Sequence, residues 1–196
     1  SDSARQWQIV TGNHVVPDDF DLVITTTPPR QAAAILRGSD SAVVPALNAI
    51  EPQGCWSLML VTEPPLPMGL VCHLEGEIIE RVINENAKGR SSEHLGLYTV
   101  HAKRPWSERH MESPKVDVQA AMIEALQSFG LESQNILHAQ LHRWLYAGVV
   151  QPLGQPNLAD MQRGLYCAGD WCLGNDIDCA LGSADATATQ VIQSLA

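Results

Sequence analysis

The stretch Tyr166-Cys167-Ala168-Gly169-Asp170-Trp171-Cys172-Leu173-Gly174 holds the most specific chemistry in this sequence. It reads as a short apolar strand that runs into a turn with an acid and then into a helix start. A carboxylate at a strand's C-terminal edge accepts hydrogen bonds from sugar-type hydroxyls, and N–H groups that open a helix face a developing anion. Gly169 and Asp170 are the centre of that reading. The same residues also fit a plain β-turn into a helix capped by Asn175 or Asp176. A second set lies along residues 136–149, where His138, Gln140, His142, Trp144 and Tyr146 fall on one face of a strand by its period of two. An imidazole and aromatic wall suits a flat ring, and a sheet face covered by another element suits it as well. Zinc would need a third ligand beside His138 and His142, and a strand does not supply helical i, i+4 spacing. Lys88 sits in a Gly-Arg loop, either solvated or bonded to a bound molecule through water. Cys172 has no basic neighbour in sequence and reads as a buried, inert thiol. Neither a G-x-S-x-G nucleophile elbow nor a phosphate-binding loop is present.

The elements that must position these groups follow from local pattern. Trp7 to Thr11, a Gly12-Asn13 turn, and Phe20 to Thr26 predict two strands, the second buried on both faces. Arg30 to Ile50 predicts two short helices. Strands are expected over Cys55–Val61, Leu70–Leu74, Glu77–Asn84 and Leu95–Ala102. A helix then starts with Ser113 as N-cap and Pro114 at its first position. It carries an apolar stripe of Val118, Met122, Ala125, Leu126 and Phe129 and stops at Gly130. The strand 136–149 returns to the sheet, Gly164–Ala168 forms a short strand, and a final helix presents Leu181, Ala184, Ala188, Val191, Ile192 and Leu195 on one face.

Composition narrows the function classes. With 196 residues and 45% hydrophobic side chains, the chain can bury a real core. Twelve Lys and Arg against 22 Asp and Glu leave a formal charge of −10, which opposes nucleic acid and anionic membranes as partners. No apolar run approaches the length of a membrane span, and residues 1–6 are too polar for a signal peptide. Five cysteines without C-x-x-C spacing read as reduced thiols in a cytoplasmic protein.

Five segments, in order, resemble the renalase-like and flavin-containing amine oxidase families. Residues 164–188 are similar to the last flavin-binding motif, aliphatic-x-x-A-G-D-W-C followed by a small-residue helix. Residues 20–28 with Gln31 resemble a strand ending in an A-T-P-type turn, and residues 84–90 an N-x-x-K-x-G-R loop. Val100-His101-Ala102 through Trp106-Ser107, His110 and Glu112 resemble V-H-A-x-x-x-W-S-x-x-H-x-E, and residues 142–147 resemble H-R-W-x-Y-A. The resemblance implies an FAD-dependent oxidoreductase that oxidises a dihydronicotinamide or amine-type substrate by hydride transfer to flavin, with O2 as acceptor. It implies cofactor contact at Gly169, Asp170, Trp171, Asp178 and Cys179, and substrate contact at His142, Trp144, Tyr146 and Lys88. Two departures stand out. The G-x-G-x-x-G fingerprint that seats a pyrophosphate is absent, and Cys179 replaces the usual glycine of the terminal helix.

The expected fold is α+β, an antiparallel sheet flanked by helices. Residues 1–28 and 161–196 are expected to form a remnant of an FAD-binding domain, and residues 29–160 a substrate-binding domain. Expected partners are the small-molecule substrate, a separate N-terminal FAD domain, and a second copy of the chain through exposed interface surface. FAD is expected to be held by the full-length parent and not retained by this chain alone. A non-catalytic binding or assembly module derived from the same fold is the competing class.

Overall fold

The computed structural model describes residues 7–89 and 94–195. The chain divides into two compact units, one of residues 1–52 and 148–196, the other of residues 53–147. These boundaries differ from those at 28/29 and 160/161, because the two short helices after residue 28 pack with the chain ends.

In the first unit, β1 (Trp7–Thr11) and β2 (His14–Phe20) form an antiparallel hairpin. The sequence reading starts its second strand at Phe20, after the polar Asp18-Asp19 pair, whereas the strand already begins at His14 and runs through Pro17. A two-stranded hairpin has free edges, where a residue lacking an N–H is tolerated. The strand expected from Phe20 to Thr26 shrinks to β3 (Val23–Thr25), and Ile24 remains 47% exposed, so it is not buried on both faces. The helices α1 (Pro29–Ile35) and α2 (Val43–Ala49) follow as anticipated. Of the later elements, β9 (Leu158–Asp160), β10 (Leu165–Cys167) and α5 (Ile177–Leu195) belong to this unit. β10 pairs in parallel with β3, Leu165 against Val23 and Tyr166 against Ile24, and antiparallel with β9. Apolar side chains including Ala32, Leu47, Val149, Leu165 and Trp171 form its core.

The second unit is built on a five-stranded sheet of β4 (Pro52–Thr62), β5 (Val71–His73), β6 (Ile79–Asn84), β7 (Gly96–Ala102) and β8 (Ile136–Val149), in the order β5-β6-β7-β4-β8. β4 with β7, β7 with β6, and β6 with β5 are antiparallel. Alternation sends Leu58, Leu60, Val82 and Val100 to the inner face. They meet α3 (Arg104–Arg109) and α4 (Lys115–Gln127) through Trp106, Val118, Met122 and Leu126.

Helix starts and faces bring three corrections. α4 starts one residue later than predicted, with Pro114 in the cap position and no side-chain cap from Ser113. Its end is as expected, with Gly130 at φ 92° and the Leu131 N–H donating to the Leu126 carbonyl at 3.1 Å. α3 was not anticipated, and the apolar face of α5 points outward. Ser183 and Thr187 are buried there, whereas Leu181, Ile192 and Leu195 are 58 to 70% exposed. Small and hydroxyl side chains let this helix approach the turn at Gly169 closely, which a stripe of large side chains would prevent.

Candidate functional site

β10 delivers Ala168 and Gly169 to the turn, and a 3-10 turn over Asp170–Cys172 follows. The Gly169 N–H donates to Ser183 Oγ at 3.0 Å and the Trp171 N–H to Asp170 Oδ1 at 2.8 Å. Cys172 donates to the Gly169 carbonyl, and Leu173 and Gly174 to the Asp170 carbonyl. Gly169 is in extended backbone, so its glycine identity is a matter of space: a Cβ there would run into the Trp171 indole, with Cδ1 at 2.6 Å.

At the start of α5, Asp176 Oδ1 accepts the Cys179 N–H at 2.8 Å, and Asn175 bridges both backbone groups of Val149. Asp176 is thus the cap that the alternative reading anticipated. Hydrogen bonds from the Cys179 thiol and amide hold its carboxyl below the ordinary value, and the same thiol contact pushes Cys179 up. Burial, reinforced by Cys172, pushes the Cys167 thiol up to about 12. Cys172 is also raised by burial, in keeping with an inert thiol.

The polar groups of the turn left unbonded, among the described residues, are the Asp170 N–H, Asp170 Oδ2 and the buried Trp171 Nε1. Trp171 Nε1 is shut away from solvent, so the Asp170 N–H and Oδ2 are what the turn offers to a bound molecule. No row of free amides remains for a pyrophosphate. Asp178 is exposed at the first turn of α5, and Cys179 is turned toward Gly174 and Asp176.

In the second unit, Leu141 lies in the core, while His138, Gln140, His142, Trp144 and Tyr146 are exposed on the opposite face of β8. His142 and Trp144 rings lie 4.2 Å apart, tilted by 57°. Trp144 is 52% exposed and not packed against α4. Leu145 is 48% exposed, although alternation assigns it to the core side. Lys88 pairs with Glu85 at 3.1 Å, and the loop is tied down by Asn86, which bonds Leu95 and Leu97. Arg90 of that motif lies outside the described residues.

The remaining motif residues have internal structural partners. The Trp56 N–H donates to Ser107 Oγ and Trp56 Nε1 to the His110 carbonyl, while His110 stacks on Trp106 at 4.3 Å. Arg143 donates to the Met111 carbonyl at 2.8 Å, lies over the Trp56 ring and pairs with Glu112 at 3.5 Å. The W-S-x-x-H-x-E and H-R-W segments therefore lock α3 to β4 and β8.

A groove of about 660 Å³ between α4 and β8 is lined by Gln119, Ile123, Glu124, Ile136 and Ala139, none of them from the aromatic wall. Among the described residues no cluster of three His, Cys, Asp or Glu is arranged to hold a metal, and no helix is long and apolar enough to cross a membrane. Two participants escaped the sequence reading. Ser183 was hidden in a small-residue helix, and Arg81, bonded to His101, depends on a strand irregularity that alternation does not forecast.

No protein-family profile matches the sequence. Solved structures do share the fold. A protein from Exiguobacterium sp. 255-15, provisionally named protoporphyrinogen oxidase, matches with TM-score 0.67 and 15% identity over 98% of this chain and 45% of its own. An oxidoreductase from Methanosarcina mazei matches with TM-score 0.64 and 18% identity over 93% of this chain and 48% of its own. Cyclohexylamine oxidase from Brevibacterium oxydans IH-35A matches with TM-score 0.67 and 8% identity, over 98% and 47%. The chain has the α+β fold found in these oxidoreductases, one of them an amine oxidase. It spans somewhat under half the length of each.

Proposed function

We propose that this chain is the substrate-binding part of an FAD-dependent, amine-oxidase-type oxidoreductase acting on a dihydronicotinamide or amine-type substrate. The observation that carries the reading is the exposed wall of His142, Trp144 and Tyr146 on the open face of a sheet whose fold is shared with an amine oxidase. Flat aromatic rings favour offset or tilted stacking on such side chains, which orients a planar substrate without a charged contact. When bound, FAD supplies the hydride acceptor and passes electrons to O2. Gly169, Asp170 and Trp171 hold its ring or ribityl end, and a separate FAD-binding domain holds the pyrophosphate. Lys88, already neutralised by Glu85, acts at most through water. In the chain alone, the few hydrogen bonds at the Gly169 turn, about 1 kcal/mol each, do not offset the several kcal/mol needed to immobilise FAD.

The second reading, a non-catalytic binding or assembly module, is favoured by the internal use of most amides in the Gly169 turn. Fluorescence titration of the chain with a reduced nicotinamide tests the first reading. Saturable binding that is lost in the W144A/Y146A double variant supports it. Binding indifferent to both substitutions would sink it.

A further inference from the structure

The outer face of the five-stranded sheet carries a second polar feature, away from β8. Registers place His73 opposite Arg81, Arg81 opposite His101, and His101 opposite Ser57, so one row crosses β5, β6, β7 and β4. Arg81 reaches that face because β6 is irregular. Ile79 pairs with Ala102 on the buried side and Arg81 with the next residue of β7, His101, so Glu80 is an extra residue in the ladder. A bulge of this kind re-aims the side chain that follows it. Without it, Arg81 would share the inward face of Ile79, which is 3% exposed.

Arg81 Nε donates to His101 Nδ1 at 3.1 Å. Since a guanidinium has no acceptor, His101 accepts at Nδ1 and carries its own proton on Nε2. Burial first, then Arg81 and Lys88, lower the His101 pKa against the opposing pull of Glu85 and favour that neutral form. Among the described residues no acceptor is bonded to the two Nη atoms of Arg81 and no carboxylate lies within ion-pair distance, although the chain carries an excess of acids. The adjoining row begins apolar, Val71 opposite Ile83, and turns polar at Thr99, opposite Ile83, whose hydroxyl donates to Glu85 Oε1 at 2.9 Å. Val71 is 45% exposed. The two rows stand two residues apart along the strands, roughly 7 Å.

We propose that Arg81, held by His101 and flanked by His73, binds the carboxylate of a small apolar acid whose body lies over Val71 and Ile83. The free Nη fork matches a carboxylate in two parallel hydrogen bonds, while the Nε bond to His101 fixes the plane of the guanidinium. An aromatic acid is long enough to reach from the charged row to the apolar one. Strand spacing of about 4.8 Å sets β6 roughly 14 Å from β8, so this subsite is separate from the Trp144 wall. The proposal needs no flavin, and failure of the oxidoreductase reading leaves it standing.

The test is a titration of the 196-residue chain with sodium benzoate, followed by the imidazole NMR signals of His73 and His101, assigned through H73Q and H101Q. Both signals should shift saturably with benzoate and stay put with benzamide. R81Q should weaken binding by at least about tenfold, R81K should fall between, and R37Q should match the wild type. Benzamide behaving like benzoate, R81Q binding like wild type, or no saturable shift would overturn the proposal. So would inorganic phosphate binding tighter than benzoate, which would mean a general anion site. If R81Q loses its amide dispersion, R81K decides: wild-type affinity in R81K refutes the fork.

Discussion

Gly164 joins β9 and its following turn to β10, the strand that supplies the Gly169 turn, and its replacement by alanine has a cost that can be worked out in two parts. Its φ is +63°, in the left-handed region, and an alanine there loses about 1–2 kcal/mol. A Cβ would also stand 2.5 Å from the Asp21 carbonyl oxygen, a backbone atom leading into β3 that cannot swing aside. The Val23 N–H donates to the Gly164 carbonyl at 2.9 Å, so relief of the overlap also strains the β3–β10 pairing. Overlap of this sort adds about 1–3 kcal/mol. The total, about 2–5 kcal/mol, is a large share of the ~5–15 kcal/mol that holds a typical domain. Gly154 is the control, because its φ is +77° and a Cβ there meets nothing within 4 Å. Urea denaturation followed by far-UV circular dichroism and by tryptophan fluorescence should show G164A at least about 1 kcal/mol less stable than G154A. Equal losses in the two variants would refute the steric half of the argument.

Asp176 has a depressed folded-state pKa, so its cap contributes stability above the ordinary value of 3.8 and loses it as pH falls through the lower folded value. D176N should therefore lower the melting temperature at pH 7 and lose its difference from wild type in strong acid. Native alkylation at pH 8 followed by mass spectrometry should modify Cys72, which is partly exposed, well before Cys167, whose thiol is buried and pushed up to about 12. M122A should cost about 2–5 kcal/mol by leaving a cavity in the second unit's core, while W144A on the open face should stay within about 0.5 kcal/mol of wild type in the same urea assay. The exposed apolar side chains of β1, β2 and α5, among them Val10, Val15, Leu181 and Ile192, should make the chain self-associate, so its sedimentation coefficient should rise with concentration and fall in L181E/I192E.

Local pattern was enough for most elements. The helix α4 carries its own stop at Gly130, and β4, β5, β6 and β7 each sit between turn residues that end them. The face of β8 that bears His142, Trp144 and Tyr146 follows from a period of two, which depends on backbone geometry alone. The motif around Gly169 was legible as a strand, turn and helix start for the same reason. What sequence pattern misassigned depends on contacts far apart in the chain. Whether α5 buries Leu181 or Ser183 is decided by how near the Gly169 turn allows the helix to come, and Ser183 wins because its hydroxyl accepts the Gly169 N–H. Whether the amides near Gly169 are free depends on Asp170 and Ser183 folding back onto them, a side-chain choice invisible to periodicity. Arg81 is the clearest case: one extra residue in β6, set by register against β7, moves a charged side chain from the inner face of the sheet to the outer one.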